Sequence, residues 1–391
     1  MKRPMLRERV RGQHARVTTV ELFFDLVFVF AITQLSHGLL AHLSAEGALH
    51  TGLLMLAVWW AWIYTTWITN WLDPDHPTVR VMLFGLMGLG LVMSTSLGDA
   101  FGKRAVPFAL AYVALQIGRT LFMAWASRRD PSLGRNFVRV ACWFGLSGAL
   151  WVAGAFGPAE MRVGLWAAAL AIEYLAAAVG FWVPGLGHAR TTEWTVEGAH
   201  MAERCGLFII ICLGESVLVT GATFAQHPWE PGLIGAFVAS LGGAIAMWWI
   251  YFNAHAEAAA HAIARSEDPG RIARIAYTYA HMPIVAGIIV TAAGDELALA
   301  HPLGHMEPAA IWLILGGPAL FLLGGVWFKF AVFGTLSHPR TFGLVLLGLA
   351  AVAAPNLTPL ALSAVATGAL IVVAAWETVT LPAFAQPQPH P

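Results

Sequence analysis

Two carboxylates, Glu21 and Asp25, stand near the start of the apolar run TVELFFDLVFVFAITQLSHGLL, residues 19–40. Four positions apart, they share one face of a helix. A charged side chain turned toward lipid costs about 3 kcal/mol or more, so that face calls for protein, water or an ion. Further along, Glu193, Glu197, His200 and Glu203 recur at spacings of four, three and three, and Arg204 follows. On a continuous helix these acids and the histidine line one face. Glu197-x-x-His200 has the spacing of carboxylate and histidine metal ligands in helical bundles, and a wet amphipathic approach to a membrane explains the same pattern. Glu215, in LGES, falls in the middle of its apolar run, where water is hardest to reach: it is either protonated and bonded to a neighbouring helix or part of a path for a cation or proton. Asp25 has two candidate partners, Arg204 and Arg80. Together Glu21, Asp25, Arg80, His200, Glu203, Arg204 and Glu215 form the expected ion or substrate path, and the deep, oppositely charged Arg119 and Glu173 are expected to make a structural ion pair. Glu21 also has a purely local role open to it, because Thr18 three residues earlier completes a capping box.

The elements that must carry these residues follow from composition. The chain has 391 residues, 58% hydrophobic and 11% charged, with a formal net charge of zero. Soluble domains are about a quarter charged, so the sequence calls for a membrane protein, with the lipid bilayer as partner and no nucleic acid. The basic N-terminus lacks the short apolar core and cleavage site of a signal peptide and is expected to stay in the mature protein. Apolar runs place helices near 19–40, 50–70, 79–98, 105–126, 137–156, 161–182, 203–224, 232–252, 273–293, 309–331, 341–354 and 359–380. The eleventh is short and is expected to be half-length or re-entrant. The expected fold is an all-α membrane protein, a polytopic bundle of about twelve transmembrane helices. Its parts are a basic segment (1–18), a first six-helix repeat (19–182), a linker (183–202), a second repeat (203–380) and a Pro-rich tail (381–391).

Two patterns refine that picture. With the spans above, 18 Lys and Arg residues fall on the N-terminal side of the membrane and 3 on the other, with Arg119 inside a span, which implies a cytoplasmic N-terminus. Laying Glu21 beside Glu203 aligns Trp62-Ile63-Tyr64 with Trp249-Ile250-Tyr251, Gly98-Asp99 with Gly294-Asp295, and Glu173 with Glu377. Such ordered matches imply an internal duplication, and an even number of helices per unit makes the repeats parallel. Tryptophans beside helix ends (Trp59, Trp60, Trp71, Trp182, Trp229) are expected in interfacial belts. The three cysteines fit neither a disulfide framework nor a zinc site, and His37, His42, His50, His301, His305 and Glu307 offer loop-borne metal ligands or solvated histidines.

No phosphate-cradling GxxxxGK[ST], GxGxxG or HExxH occurs, and Gly214-Glu-Ser216 lacks the closing glycine of a nucleophile elbow. No cofactor and no enzyme activity is therefore expected. The runs TTVELFFDLVFVFAITQLSH, TNWLDPDHPTVRVMLFGLMG and HMAERCGLFIIICLGESVLVTG together resemble the bacterial low temperature requirement protein A family over essentially the whole chain. The resemblance implies a multi-pass inner-membrane protein whose name records a cold-growth phenotype. Over the first helix alone, Arg16, Phe24-Asp25, Val27-Phe28 and Ala31-Ile32-Thr33 are similar to the signature of the lysosomal potassium channel family, which implies an ion-conducting class. The function expected is a transporter or channel for a small ion or proton-coupled solute. The alternatives are a non-transporting scaffold or regulator of cold adaptation and an intramembrane lipid-modifying enzyme.

Overall fold

In a computed structural model, residues 4–7, 16–189, 196–253, 259, 262–263 and 265–380 are described. Among them the chain forms twelve helices: α1 (Thr19–Ala41), α2 (Ala45–Trp71), α3 (Pro77–Ser96), α4 (Ala105–Ala126), α5 (Pro131–Phe156), α6 (Ala159–Ala178), α7 (Gly198–Ala225), α8 (Pro231–Phe252), α9 (Pro269–Ala300), α10 (Pro308–Phe333), α11 (His338–Ala353) and α12 (Pro359–Thr380). Eleven are long and apolar enough to cross a bilayer, and α11, at 16 residues before a short 3-10 turn, is the exception. The Pro-rich tail and Glu193 lie outside the described residues.

Several helices begin before the apolar run that announces them, because caps rather than hydropathy set the first turn. Ser44 Oγ accepts from Gly47 N and starts α2 five residues early. Asp130 accepts from Ser132 N and Leu133 N, with Pro131 at the first position, and starts α5 six residues early. Expected at 203, α7 begins at Gly198, so the end of the expected linker is helical and His200 is an α7 residue. The sixth helix stops at Ala178, short of the expected 182, where Gly180 and Phe181 both take positive φ.

The chain divides into two compact units: residues 1–208 with 263–278, and residues 209–262 with 279–391. In the first, α2 is the enclosed span; Trp59, Trp60 and Trp62 are almost wholly withdrawn from solvent. This corrects the expected interfacial place of Trp59 and Trp60, and the cause is polar: the Trp59 indole donates to the carbonyl of Thr278 at 2.8 Å. Trp71 is also buried, whereas Trp182 and Trp229 are exposed as belt residues would be. In the second unit, α9 and α10 pack through glycine. A Cβ on Gly287 would meet the backbone of Phe321 and Gly317, and one on Gly317 would meet Thr291. Small residues at such positions let two helix backbones approach closely in lipid.

Candidate functional site

The two acids of α1 face α7 within the first unit. Arg204 is a fork: its Nη1 and Nη2 donate to Asp25 Oδ2 and Oδ1 at 2.8 Å each, and the Trp62 indole donates to Oδ1 at 2.8 Å. Arg204 also reaches Thr66 Oγ1 and lies over the Trp62 ring, 5.6 Å from its centroid. One turn earlier on both helices, His200 Nε2 meets Glu21 Oε1 at 2.9 Å. Glu21, Asp25, His200 and Arg204 are all 0% exposed. Partners at 21 and 25 therefore pair with 200 and 204 in the same order. This makes a two-rung ladder and means that α1 and the start of α7 run in the same direction.

The lower rung has a fixed protonation pattern. Asn70 Oδ1 accepts from Glu197 N at 3.0 Å and its Nδ2 donates to Glu197 O at 2.9 Å, so the backbone decides which way the amide points. That places Nδ2, a donor, 3.2 Å from His200 Nδ1. Nδ1 must accept, and the proton of a neutral imidazole then sits on Nε2, facing Glu21. The cation that balances Glu21 comes from the N-terminal segment. Residues Met5 and Arg7 pair with the end of α2, Arg7 N to Trp71 O and Asp73 N to Met5 O, both 2.8 Å. Arg7 Nε serves the carbonyls of Thr69 and Leu72, which the helix end leaves open. Its Nη2 reaches Glu21 Oε2 at 3.2 Å. The same Oε2 accepts from Thr18 N and Oγ1 at 2.9 Å, so the capping box and the ladder share one carboxylate.

Sequence reasoning missed Arg7. Its only signal was a basic residue twelve positions before α1, indistinguishable from a solvated tail. The expected partner Arg80 stands elsewhere: it is exposed and pairs with Asp75 at 3.3 Å. Glu203 is exposed on α7 and accepts from Val17 N. Glu215 is 5% exposed and belongs to the second unit, about 16 Å along α7 from Arg204. Among the described residues, no three His, Cys, Asp or Glu side chains gather to hold a metal ion.

The expected Arg119–Glu173 ion pair is corrected. Arg119 donates to Ala61 O at 2.7 Å, Thr65 Oγ1 at 2.8 Å and Gln116 Oε1, while Glu173 accepts from Tyr112 at 2.5 Å and Trp151 at 3.0 Å. Gln116 joins the two, its Nε2 donating to Tyr112 and to Glu173. The guanidinium is drawn to α2 because the carbonyl of Ala61 is freed there by Thr65 bonding back to it. Glu377, expected near the interface, is 4% exposed in the second unit and takes Lys329 at 2.6 Å, Arg340 at 2.9 Å and Ser337 at 3.2 Å. Two cations counted as loop charges are thus committed inside the protein.

With the geometry in hand, the sequence was compared with known proteins, and the profile described as "Bacterial low temperature requirement A protein (LtrA)" matches residues 16–375. The chain belongs to the bacterial low temperature requirement A family. An uncharacterized protein of Rhizobium meliloti (strain 1021) is 40% identical to it over 365 residues, covering 92% of this chain and 88% of the relative. No solved structure matches. The stretch matched to LtrA holds all four ladder residues of α1 and α7 and leaves out Arg7 and Glu377, so family likeness alone points to neither. The chain is a multi-pass helical membrane protein of bacterial type.

Proposed function

We propose that this LtrA protein is a transporter or channel for a small ion or proton-coupled solute, and that the α1–α7 ladder is its internal gate. The observation that carries this reading is the layout of α1. Around its far end lies a polar hollow of about 340 Å³, lined among others by Gln34, His42, Glu46, His50 and Asp99, all of the first unit. Gln34 is nine residues, about 13 Å, beyond Asp25. Between them α1 turns inward Phe28, Ala31 and Ile32, all buried, with Phe28 tilted against Phe24 and Phe208 at 5.3 and 6.4 Å. A polar vestibule, an aromatic plug and a charge ladder in sequence on one helix are the parts of a gated route, in which a narrow apolar constriction stops water and ions. Buried ion pairs add little stability over well-packed apolar side chains, so two rungs retained at this depth point to use rather than to packing. Glu215, on the continuation of α7, is assigned to the same route. Arg80 and Glu203 are assigned to its solvent-facing approach.

One observation favours a second reading: every ladder acid is fully partnered, as a static lock between helices would be. Flux separates the two. In liposomes under a potassium, sodium or pH gradient, the protein is expected to pass one of these ions faster than protein-free liposomes, with Asp25→Asn and Glu215→Gln altering the rate. A folded wild type with no flux above protein-free liposomes leaves the lock as the function of the ladder.

The N-terminus is assigned to the cytoplasmic side of the inner membrane on the strength of the Lys and Arg distribution. The internal duplication is likewise inferred. Its best support is that Glu173 of α6 bonds to residues of α4 and α5, while Glu377 of α12 bonds to residues of α10 and α11.

A further inference from the structure

A second hollow in the first unit has no part in the ladder. Tyr64, Trp67 and Trp71 of α2, Asn136, Phe137 and Val140 of α5, Phe181, and Arg274 and Thr278 of α9 are among the residues that enclose about 420 Å³, of which water centres could occupy only about 30 Å³. It is a narrow slot with aromatic walls. Two polar atoms on its lining are buried and meet no partner among the described residues: Oδ1 of Asn136, on a side chain 7% exposed, and Nε of Arg274. A buried polar atom left unpaired costs about 1–3 kcal/mol, so each calls for something to bond.

The wall around them is built at a conformational cost. Residues 274–280 of α9 form a π-helical turn, a departure from α geometry that recurs at functional sites. Trp67 holds that turn open by donating its indole N–H to Thr278 Oγ1 at 2.8 Å, so what it shows the slot is its ring. Phe181, on the opposite wall, has φ of +51°, a left-handed conformation that bulky residues seldom adopt. Arg274 donates one Nη to Ala177 O at 2.5 Å, which anchors the guanidinium and leaves Nε unused.

The unmet groups define the ligand. Nε of Arg274 is a donor beside a positive charge and requires a negatively charged acceptor. Oδ1 of Asn136 is an acceptor and requires a donor such as a hydroxyl. The slot admits an apolar body only if it is narrow. We propose that it binds an amphiphilic anion that carries a hydroxyl group, of which a glycerol-phosphate head on an alkyl chain is the simplest form. Arg274 takes the phosphate oxygen, Asn136 takes the hydroxyl, and the chain lies between Trp67, Phe137 and Phe181. The proposal stands apart from the gate and does not need it.

Native mass spectrometry of the full-length protein in detergent tests this with three probes. They are dioctanoyl phosphatidylglycerol, dioctanoyl phosphatidylcholine and glycerol 3-phosphate. Phosphatidylglycerol is expected to bind about ten-fold or more tighter than phosphatidylcholine, a gap that Asn136→Leu and Arg274→Gln each close. Val140→Trp, which fills the slot, is expected to abolish binding. Glycerol 3-phosphate binding as tightly as the lipid supports the headgroup chemistry and assigns the occupant to a free soluble anion. Equal retention of the two lipids by wild type, or phosphatidylglycerol binding unchanged in Asn136→Leu, overturns the proposal. Asn136→Leu removes an unpaired polar atom and keeps the test valid should Arg274→Gln fail to fold, with thermal unfolding in detergent as the check.

Discussion

At the scale of single residues, the ladder is a set of groups each of which is tolerable only because of another. Asp25→Asn leaves the Arg204 charge buried without its carboxylate, and the loss of one partner from such a pair costs about 3–5 kcal/mol. Thermal unfolding in detergent should show that loss, and the double variant Asp25→Asn with Arg204→Gln should recover much of it. Recovery of nothing would mean the two side chains do not couple. Arg7→Met is expected to destabilise the same site by removing the cation from Glu21 and opening the carbonyls of Thr69 and Leu72. Glu377→Gln in the second unit strands Lys329 and Arg340 in the same way, and should lower the unfolding temperature more than a surface substitution such as Glu307→Gln.

These partners show how far a sequence can be read. That Glu21 and Asp25 share a face, and that Arg204 is a fit partner for Asp25, follow from spacing and charge. That Asn70 sets the histidine tautomer, or that Gln116 stands between Arg119 and Glu173, does not. Neutral amides leave no trace in a charge pattern, and their role depends on which backbone group happens to lie in reach.

At the scale of elements, hydropathy places every span and misplaces its ends. It measures where a chain leaves water, and caps act a turn earlier. The four to six residues missed at α2, α5, α7 and α9 matter most at α7, where they contain His200. Helix pairing is decided by side-chain size. The α9–α10 contact rests on Gly287 and Gly317, where a Cβ would collide with backbone, while a Cβ on the neighbouring Gly316 meets nothing within 4 Å. Gly317→Leu is therefore expected to abolish folding or lower the unfolding temperature sharply. Gly316→Ala should be neutral or slightly stabilising, since alanine is the better helix former. Equal effects of the two would remove the close-packing account.

At the scale of the whole molecule, topology and transport are the open quantities. Single cysteines placed at Asp75 and at His305, in a chain with its three native cysteines replaced, are expected to label from opposite sides of the membrane, Asp75 from the cytoplasm. Labelling of both from one side would overturn the span count between them. The vestibule, plug and ladder make a claim about what the first unit is for, and the plug is the part whose removal has a sign. Phe28→Ala shortens the apolar barrier without touching any charged group.

Ion flux through proteoliposomes, wild type beside Phe28→Ala under potassium, sodium and pH gradients, is the direct measurement. The account predicts flux above protein-free liposomes for one of these ions in wild type and a faster leak of the same ion in Phe28→Ala. Folded protein that passes none of them, with Phe28→Ala no leakier than wild type, would contradict it and leave the ladder as architecture.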